Sequence, residues 1–286
     1  WVAGTCTLIT PLYEALKKRV LQSPYLHADE TPLKVLDKDK KGSSHRGYYW
    51  VYHNSLDDLV FFDYQQGRGR EGPKQILEGF TGYLQTDGYN VYNSIAEDSA
   101  MTLLHCWAHG RRYFYDAQNS DPEQAKHGLS LIGKLYEIER QIKEEKLSVE
   151  KIQERRNKEA VPILEELKTW MTEGYLHARP KSPIGKAFAY CLERWNQLII
   201  YTTDGRLNVD NNAVENSIRP VAIGRKNYLF AGSHEAAQRS AMLYSLLGTC
   251  KLHGINPAQW LRDTLEKIND HPINRIHELL PINNQQ

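Results

Sequence analysis

Apolar residues recur every four positions at the start of the chain, which is the spacing of one face of an amphipathic helix. Leu8, Leu12, Leu16 and Val20 form this stripe. The pattern then changes to short runs of aromatic and branched residues bounded by turn formers, which is typical of strands. Three such runs follow one another at 26–36, 47–53 and 59–64. The pattern therefore predicts an N-terminal helix and then three strands joined as hairpins.

Two strand–helix units are predicted after these strands. A loop rich in glycine and arginine leads through Pro73 into a short helix, and proline is favoured in the first turn of a helix. The run GYLQTDGY predicts a fourth strand, NVYNSIA a short helix and AMTLLHCWA a fifth strand. Together these elements predict an α/β (α+β) fold with one five-stranded mixed sheet and helices packed against it.

The second half of the chain has an almost wholly helical pattern. One apolar stripe is formed by Leu131, Leu135, Ile138 and Ile142. Two further stripes are Ile163, Leu164, Leu167 and Trp170, and Phe188, Leu192, Trp195 and Ile199. A polar turn at 205–213 leads into a helix that is predicted to stop near Pro220, and more helices are predicted around 236–252 and 257–269. The tail after Asp270 is predicted to be loosely ordered.

The order of these elements predicts a helical block inserted into an α/β domain. The predicted parts are an N-terminal helix (1–25), the first part of the α/β domain (26–115), a helical insertion (116–203), the completion of the domain (204–235) and a C-terminal helical element (236–286). The chain begins at Trp1 rather than Met, so an upstream segment is expected.

Composition excludes several classes of protein without selecting one. The 41% hydrophobic and 25% charged fractions are those of an ordinary globular protein. The formal net charge of +1 neither indicates nor excludes nucleic-acid binding, because a local basic face matters more than the total. The four cysteines form no CxxC pair, which favours a reduced, cytosolic compartment over a disulfide framework. No apolar run approaches the ~18 residues of a membrane-spanning helix.

Two aspartates are candidates for a metal site. Asp29 lies inside the strand LHADETPLKVL, where a carboxylate is costly without a partner or a metal. Asp87 follows the fourth strand, and ligand sites collect beyond the ends of parallel strands. If the first and fourth strands are parallel neighbours, the two carboxylates meet and repel each other unless a divalent cation lies between them. Each also has a plainer interpretation, Asp29 as a strand-end residue and Asp87, before Gly88, as a turn residue.

Glu215 is the third candidate carboxylate, in the segment VDNNAVENSIRP. It is compatible with a capping box in which Asn212 is the N-cap, and also with a helix that presents Glu215 to the same metals. The basic residues that follow suggest phosphate binding, although a solvated basic surface has the same composition. These basic residues are Arg219, Arg225, Lys226 and Arg239.

The segment HCWAHGRRYF, residues 105–114, is a second dense cluster of reactive side chains. His105, Cys106 and His109 suggest zinc, but no second ligand pair stands at the usual spacing. The alternative is packing of Cys106 and Trp107 at a strand end. The remaining polar residues, His109, Arg111 and Arg112, would then lie near the site or near DNA.

Four motifs in order resemble the transposases of insertion sequence 66. They are HADETP, YLQTDGY, HCWAHGRRYF and DNNAVENSIRPVAIGRKNYLFAGS, and the resemblance continues through SLLGTCKLHGINPAQWL. It implies an RNase H-like fold with helices on both faces of the sheet and a bacterial DDE-type DNA transposase. Asp29, Asp87 and Glu215 fall on the catalytic, metal-binding triad of the family, which implies two Mg²⁺ or Mn²⁺ ions. Two positions depart from the family pattern, Asn216 and Gly110.

The resemblance also implies the partners of the protein. DNA at the transposon ends and at the target would contact Arg111, Arg112, Arg219, Arg225, Lys226 and Arg239. His109, Asn211 and Asn212 would lie near the site. A homo-oligomer on DNA, accessory proteins of the same element and a location at the bacterial nucleoid in the cytoplasm are expected, with no membrane partner. The rivals are an RNase H-like nuclease or resolvase without strand transfer, a DNA-binding fragment without catalysis and a zinc hydrolase.

Overall fold

Five strands form one mixed sheet in the computed structural model, which describes residues 1–36 and 43–282. The strands are β1 (Tyr25–Leu36), β2 (Ser44–Asn54), β3 (Leu59–Gln65), β4 (Tyr83–Thr86) and β5 (Thr102–His105). Their order across the sheet is β3-β2-β1-β4-β5. The pairs β1–β2 and β2–β3 are antiparallel, and the other two neighbouring pairs are parallel. The predicted α/β class and mixed five-stranded sheet are confirmed.

The described helices occupy the rest of the predicted pattern. They are α1 (Val2–Leu21), α2 (Glu71–Ile76), α3 (Asn90–Glu97), α4 (Trp107–Ala117), α5 (Pro122–Glu145), α6 (Val149–Arg155), α7 (Val161–His177), α8 (Pro183–Glu193), α9 (Trp195–Ile199), α10 (Asn212–Tyr228), α11 (His234–Leu252) and α12 (Pro257–Lys267). A π-helical turn, Arg156–Ala160, precedes α7, and 3₁₀ turns lie at Ile200–Thr203 and Ile273–Leu279. No helix of the described residues is both long and apolar enough to cross a bilayer.

The chain divides into two compact units. Unit 1 consists of Trp1–Leu84, Asn90–Thr102 and Asn212–Gln286, and unit 2 consists of Gln85–Tyr89 and Leu103–Asn211. The division into five predicted parts stays a prediction, and residues 37–42 and 283–286 of those parts lie outside the described residues.

Helices α10 and α11 build the core of unit 1 on one face of the sheet. Side chains alternate along a strand, so every second residue of β1 and β2 faces these helices. The cluster consists of Leu33, Val35, Tyr49, Val51, Val60, Phe62, Tyr64, Val214, Ile218, Val221, Ala237 and Ala241. Helix α1 buries Cys6, Ile9, Leu12, Leu16 and Val20, whereas Leu8 of the predicted stripe is 43% exposed. Ile9 therefore takes the place predicted for Leu8.

Side-chain hydroxyl groups form hydrogen bonds with backbone groups on the outer edge of β3. The Phe62 N–H donates to Ser245 Oγ at 2.8 Å, and the Val60 N–H donates to Thr249 Oγ at 3.3 Å. The Tyr13 hydroxyl donates to the Phe62 carbonyl oxygen at 2.8 Å. Two residues of strand and one turn of helix rise by similar distances, so residues four apart on α11 match residues two apart on β3. The outward-pointing backbone groups of Val60 and Phe62 are thereby not available for pairing with another chain.

At the C-terminal half of β1, the backbone groups that point away from β2 are satisfied in a different way. Its backbone groups that point away from β2 include those of Pro32, which has no N–H to leave unpaired. The Pro32 carbonyl oxygen accepts a hydrogen bond from the Arg225 guanidinium. Beyond it, the Ala231 N–H donates to the Lys34 carbonyl oxygen at 2.8 Å, and the Leu36 N–H donates to the Ala231 carbonyl oxygen at 2.9 Å. The segment after α10 is therefore fixed along this edge.

The prediction that the helix after residue 210 stops near Pro220 is wrong. Helix α10 continues through Pro220 to Tyr228. A proline inside a helix removes one backbone hydrogen bond and costs ~3 kcal/mol. Here the buried side chains Val214, Ile218 and Val221 lie on both sides of the proline and pack against the sheet, which holds the helix together. Arg225 and Lys226 consequently lie in its last turn.

Unit 2 is mainly helical, as predicted. The predicted stripe of α5 is buried, and so are Leu164 and Leu167 of α7. Two details differ: β5 is shorter than predicted because α4 already begins at Trp107, and the predicted stripe from Phe188 to Ile199 is divided at Arg194 between α8 and α9. The guanidinium of buried Arg156 is held by Glu139, with Nη2 2.6 Å from Oε2.

The predicted disorder after Asp270 is wrong for residues 273–280. Ile273–Leu279 forms a 3₁₀ turn that contacts α1, and Leu280 is buried. The Trp260 indole N–H donates to the Leu279 carbonyl oxygen at 3.1 Å. Contacts of the apolar pair Leu279–Leu280 and of this indole explain why the segment is ordered. The two prolines of the segment favour the opposite prediction.

Candidate active site

Asp29 lies on the face of β1 that α10 covers. It is half-buried and alternates with Glu30, so the two acids point to opposite faces of the sheet. The Glu30 N–H donates to Asp29 Oδ1 at 2.7 Å. Glu30 itself accepts a hydrogen bond from Arg68 Nε at 2.7 Å and forms an ion pair with that guanidinium. Of this acidic pair, Asp29 is therefore the one that shares a face with the core helices.

Glu215 lies in the first turn of α10, on the same side of the sheet as Asp29. It is half-buried and directly follows Val214, which packs in the core. The helix contacts both β1 and β2. The structure thus brings two of the three predicted carboxylates to one face of unit 1. The helix begins at Asn212, so this residue is its first helical position and not the predicted N-cap.

A hydrogen-bonded chain ties the start of α10 to β2. His53 Nδ1 lies 3.1 Å from Ser217 Oγ, and the Ser217 hydroxyl donates to the Ala213 carbonyl oxygen at 3.2 Å. Both bonds form together only when Nδ1 carries the proton, because the hydroxyl has a single hydrogen. Burial lowers the pKa of His53 to about 4, so the ring is neutral at pH 7. His53 is paired across the strands with His27, two residues before Asp29.

Asp87 lies in a tightly held turn of unit 2. The Tyr89 N–H donates to Asp87 Oδ1 at 2.9 Å, and the Tyr190 hydroxyl donates to the Asp87 carbonyl oxygen at 2.8 Å. Gly88 has φ +95°, and a Cβ there would lie 2.9 Å from Arg194 Nε. Arg194 in turn stacks its guanidinium over the Tyr190 ring, 4.5 Å from the centroid. The aspartate is half-buried and acts as a turn residue through Oδ1. Its second carboxylate oxygen, Oδ2, is not needed for the turn and could bind a metal ion.

The HCWAHGRRYF segment forms the end of β5 and the start of α4. His105 is buried, with Nδ1 3.4 Å from Thr86 Oγ1, and burial together with the charge of Arg194 lowers its pKa to about 4. Cys106 is buried and accepts a hydrogen bond from the Asn211 N–H at 3.2 Å; burial raises its thiol pKa to about 12. These contacts support the packing interpretation. The zinc interpretation retains Cys106 and His109, whose ligand atoms lie within 4.8 Å of each other.

The predicted basic residues are distributed over both units. Arg111 and Arg112 are exposed on α4 of unit 2, and Arg219 and Lys226 are exposed on α10 of unit 1. Arg239 is half-buried on α11 and lines a groove with Cys6 and Thr10 of α1. Arg225 instead lines a groove at the far end of β1. Asn211, predicted to be near the site, is fully buried.

Sequence reasoning missed the residues that position the carboxylates. His53 and Ser217 hold α10, and Tyr190 and Arg194 hold the turn at Asp87. His53 stands in an aromatic strand and Ser217 inside a helix, and neither local pattern indicates a partner so distant in sequence. Lys34 and Arg46, which line the groove with Arg225, were signalled only by their polar positions in otherwise apolar strands.

Comparison with known proteins gives consistent matches along the chain. The family model described as Transposase IS66 family matches residues 1–239, and that described as IS66 C-terminal element matches residues 245–282. The relatives include the uncharacterized proteins y4qI, y4jD and y4hP of Sinorhizobium fredii (strain NBRC 101917 / NGR234). They are 33%, 31% and 31% identical over 99%, 99% and 96% of this chain. The matches cover 55%, 58% and 53% of those proteins, so the chain spans little more than half the length of these curated relatives.

No solved structure matches the chain significantly. The first family model nevertheless covers every predicted carboxylate, and the second covers most of the C-terminal helices. The chain belongs to the IS66 family of transposases.

Proposed function

We propose that this chain is the catalytic part of a DNA transposase that cleaves and joins DNA strands, with Asp29, Asp87 and Glu215 as the catalytic carboxylates. The observation that carries the proposal is the packing of α10, with Glu215 in its first turn, on the face of β1 that bears Asp29. The sheet order supports the inclusion of Asp87, since β4 ends immediately before it and is the parallel neighbour of β1.

The donor set fits magnesium or manganese. All three side chains offer carboxylate oxygens, which these hard cations prefer over the nitrogen and sulfur ligands of zinc sites. When bound, a pair of such ions supplies an activated water or 3′-hydroxyl and stabilises the leaving oxygen in an in-line displacement. Asp29 and Glu215 would hold them from the sheet and from α10, and Asp87 from its turn.

The surrounding residues position these carboxylates. The neutral His53 holds Ser217, two residues after Glu215, and so fixes the rotation of α10 over the strands. The Tyr190 hydroxyl and the close approach of Arg194 to Gly88 fix the backbone on which Asp87 stands. Such preorganisation is what phosphoryl transfer requires of a protein.

The proposal extends to the partners. DNA would be both the transposon end and the target, and contacts to its phosphates would come from the exposed cations of both units, Arg111, Arg112, Arg219 and Lys226, together with Arg225 and Arg239. A homo-oligomer on DNA, accessory proteins of the same element and a nucleoid location in the bacterial cytoplasm belong to the same proposal.

Substitution of the three carboxylates tests the proposal. Asp29→Asn, Asp87→Asn and Glu215→Gln should each abolish Mg²⁺-dependent cleavage of DNA that carries the ends of the element, because each removes a ligand charge while keeping side-chain size. Glu30→Gln is the matched control, since this neighbouring acid faces Arg68 on the other side of the sheet, and it should leave cleavage intact. Thermal unfolding would show that all variants fold, and Mn²⁺ binding by electron paramagnetic resonance gives a readout that needs no turnover.

The outcomes separate the rivals. Cleavage and joining by the triple variant would overturn the assignment of the triad. Mg²⁺-dependent cleavage without joining of the cut end to target DNA would identify a nuclease or resolvase, and DNA binding with no cleavage and no Mn²⁺ binding would identify a non-catalytic fragment. Stoichiometric zinc in the purified protein, lost in Cys106→Ser or His109→Ala, would favour the zinc interpretation.

A further inference from the structure

A basic groove with an exposed aromatic side chain lies at the far end of β1. Its volume is ≈ 510 Å³. It is lined by Pro32, Leu33, Lys34, Ser44, Arg46, Arg225, Leu229 and Phe230. Three of these residues are cations, and none of the described residues that line the groove is acidic. All of them belong to unit 1.

The three cations of the groove lie close enough to repel one another, which does not favour the folded state. Lys34 and Arg46 are paired directly across β1 and β2, and both are exposed. Like charges at directly opposed positions of an antiparallel pair destabilise it. The Arg225 guanidinium, fixed by its bond to the Pro32 carbonyl oxygen, adds a third positive charge to the same groove. An anionic ligand would relieve this repulsion.

The aromatic side chain is held at the surface by the backbone. Leu229 has φ +56°, a conformation that a leucine rarely adopts, and the Phe230 N–H donates to the Tyr228 carbonyl oxygen at 2.5 Å around it. This tight turn leaves Leu229 65% and Phe230 44% exposed. Because Ala231 is bonded to β1 through both its N–H and its carbonyl oxygen, the position of Phe230 beside the groove is fixed.

The groove is close to Asp29 along the same strand. Pro32 follows Asp29 by three residues, which corresponds to about 10 Å at the rise of a β-strand. The Lys34 and Arg46 side chains are on the face of the sheet opposite Asp29, so a DNA strand whose phosphate lies at Asp29 would pass around the edge of β1 at Pro32 to reach them.

We propose that this groove binds an unpaired nucleotide of the DNA strand beside the phosphate that is cut. The base stacks on Phe230, and Lys34, Arg46 and Arg225 neutralise the adjoining phosphates. A ring that is exposed beside cations is the arrangement by which proteins hold single strands, because every unpaired base offers a face for stacking. In a duplex the neighbouring base pairs cover that face, so paired DNA does not use Phe230. The location beside the cut phosphate rests on the proposed function, whereas binding of a single strand does not.

Fluorescence anisotropy with a labelled short oligothymidylate and with a blunt duplex of the same length tests the proposal. All measurements contain EDTA, so that metal binding and cleavage do not contribute. Phe230→Ala should weaken binding of the single strand about tenfold and leave duplex binding unchanged. Phe230→Trp should restore it. Ile223→Ala is the matched control, since Ile223 is an exposed apolar residue of α10 outside the groove.

The contribution of the cations is measured separately, from the salt dependence of the affinity for the single strand. Replacement of both Lys34 and Arg46 by Ala should reduce the slope of log affinity for the single strand against log salt by about 1.4, since each phosphate contact contributes ~0.7. Unchanged single-strand affinity in Phe230→Ala, or an equal loss for duplex and single strand, would overturn the proposal, as would an unchanged salt slope. Asp29→Asn should bind the oligothymidylate normally, so failure of the catalytic assignment is distinguishable from failure of the groove.

Discussion

Asp29 and Glu30 are adjacent acids with opposite surroundings. Glu30 is neutralised by Arg68 on one face of the sheet, whereas Asp29 shares the other face with α10. The sequence motif contains both acids, and the alternation of a strand predicts that they separate, but not which of them pairs with a cation. Arg68, which neutralises Glu30, lies in a loop far along the chain. The partner of a charge is therefore the part of the site that local sequence does not specify.

The buried histidines predict a loss of stability in acid. Burial lowers the pKa of His53 to about 4, against ~6.5 in an unfolded chain. Between these values the unfolded chain binds a proton that the folded protein does not, so the free energy of unfolding falls as pH decreases from 6.5 towards 4. The fall is at most ~1.4 kcal/mol per pH unit for each such histidine, and above 6.5 this contribution is constant. His105, with its pKa also lowered to about 4, acts in the same direction.

Urea unfolding between about pH 4.5 and pH 7.5 measures this slope. His53→Asn is the informative variant, because its amide keeps the donor near the Nδ1 position for Ser217 and does not titrate. Its unfolding free energy should depend on pH less steeply than that of the wild type, by about one proton. Carboxylates titrate in the same range in both proteins and cancel in the comparison. Identical slopes would show that His53 is not held neutral by the fold.

At the scale of elements, the periods of the sequence predicted most of the architecture. Short runs of aromatic and branched residues between turn formers located β1, β2 and β3, and the repeats of apolar residues on one helical face located α1 and α5. The end of α10 was missed because the rule that proline stops a helix is local, whereas Val221 and Ile218 pack on a sheet built from distant residues. The 3₁₀ turn near Leu279 was missed because its partner, Trp260, lies on another element.

The hydroxyls that close the edge of β3 predict a measurable loss of stability. Ser245→Ala removes the acceptor of the buried Phe62 N–H and should lower the free energy of unfolding by about 1–3 kcal/mol. Gln238→Ala, an exposed change on the same helix, should stay within ~0.5 kcal/mol of the wild type. Chemical unfolding of the three proteins gives the comparison. A Ser245→Ala variant as stable as Gln238→Ala would show that the N–H finds another partner.

At the scale of the whole molecule, the reactivity of the four cysteines can be used to follow the unfolding of each unit separately. All are free and buried, with Cys6 and Cys250 in unit 1 and Cys106 and Cys191 in unit 2. Burial raises the thiol pKa of Cys106, Cys191 and Cys250 to about 12 and also raises that of Cys6. Since the thiolate is the reactive form, the folded protein should react slowly with thiol reagents at neutral pH.

Labelling in increasing denaturant tests this expectation. All four thiols should react once the chain is unfolded, and peptide mass spectrometry after a short pulse would show which pair becomes accessible first. The pairs should respond as pairs, because each unit has its own core. Rapid, stoichiometric labelling of one cysteine in the folded protein would contradict the burial on which the argument rests.

The family was recognisable from four motifs, and the matches over residues 1–239 and 245–282 confirm it. The motifs contain the carboxylates themselves, which is why the candidate site could be named from the sequence. The groove at Phe230 could not be, because Lys34, Arg46 and Phe230 come together only through the pairing of β1 with β2 and the return of the chain at Ala231.

Helix α10 is fastened to the sheet near both of its ends. Ser217 is tied to His53 near the start, and Arg225 and Ala231 are tied to β1 at and after the end. All of these ties lie within unit 1, so they hold the register of Glu215 over the strands without using residues of the long helical segment that precedes α10 in the chain. Changes in the length or structure of the helical segment before α10 should therefore be tolerated. Relatives that differ in this segment should still carry the glutamate on the first turn of the helix that corresponds to α10.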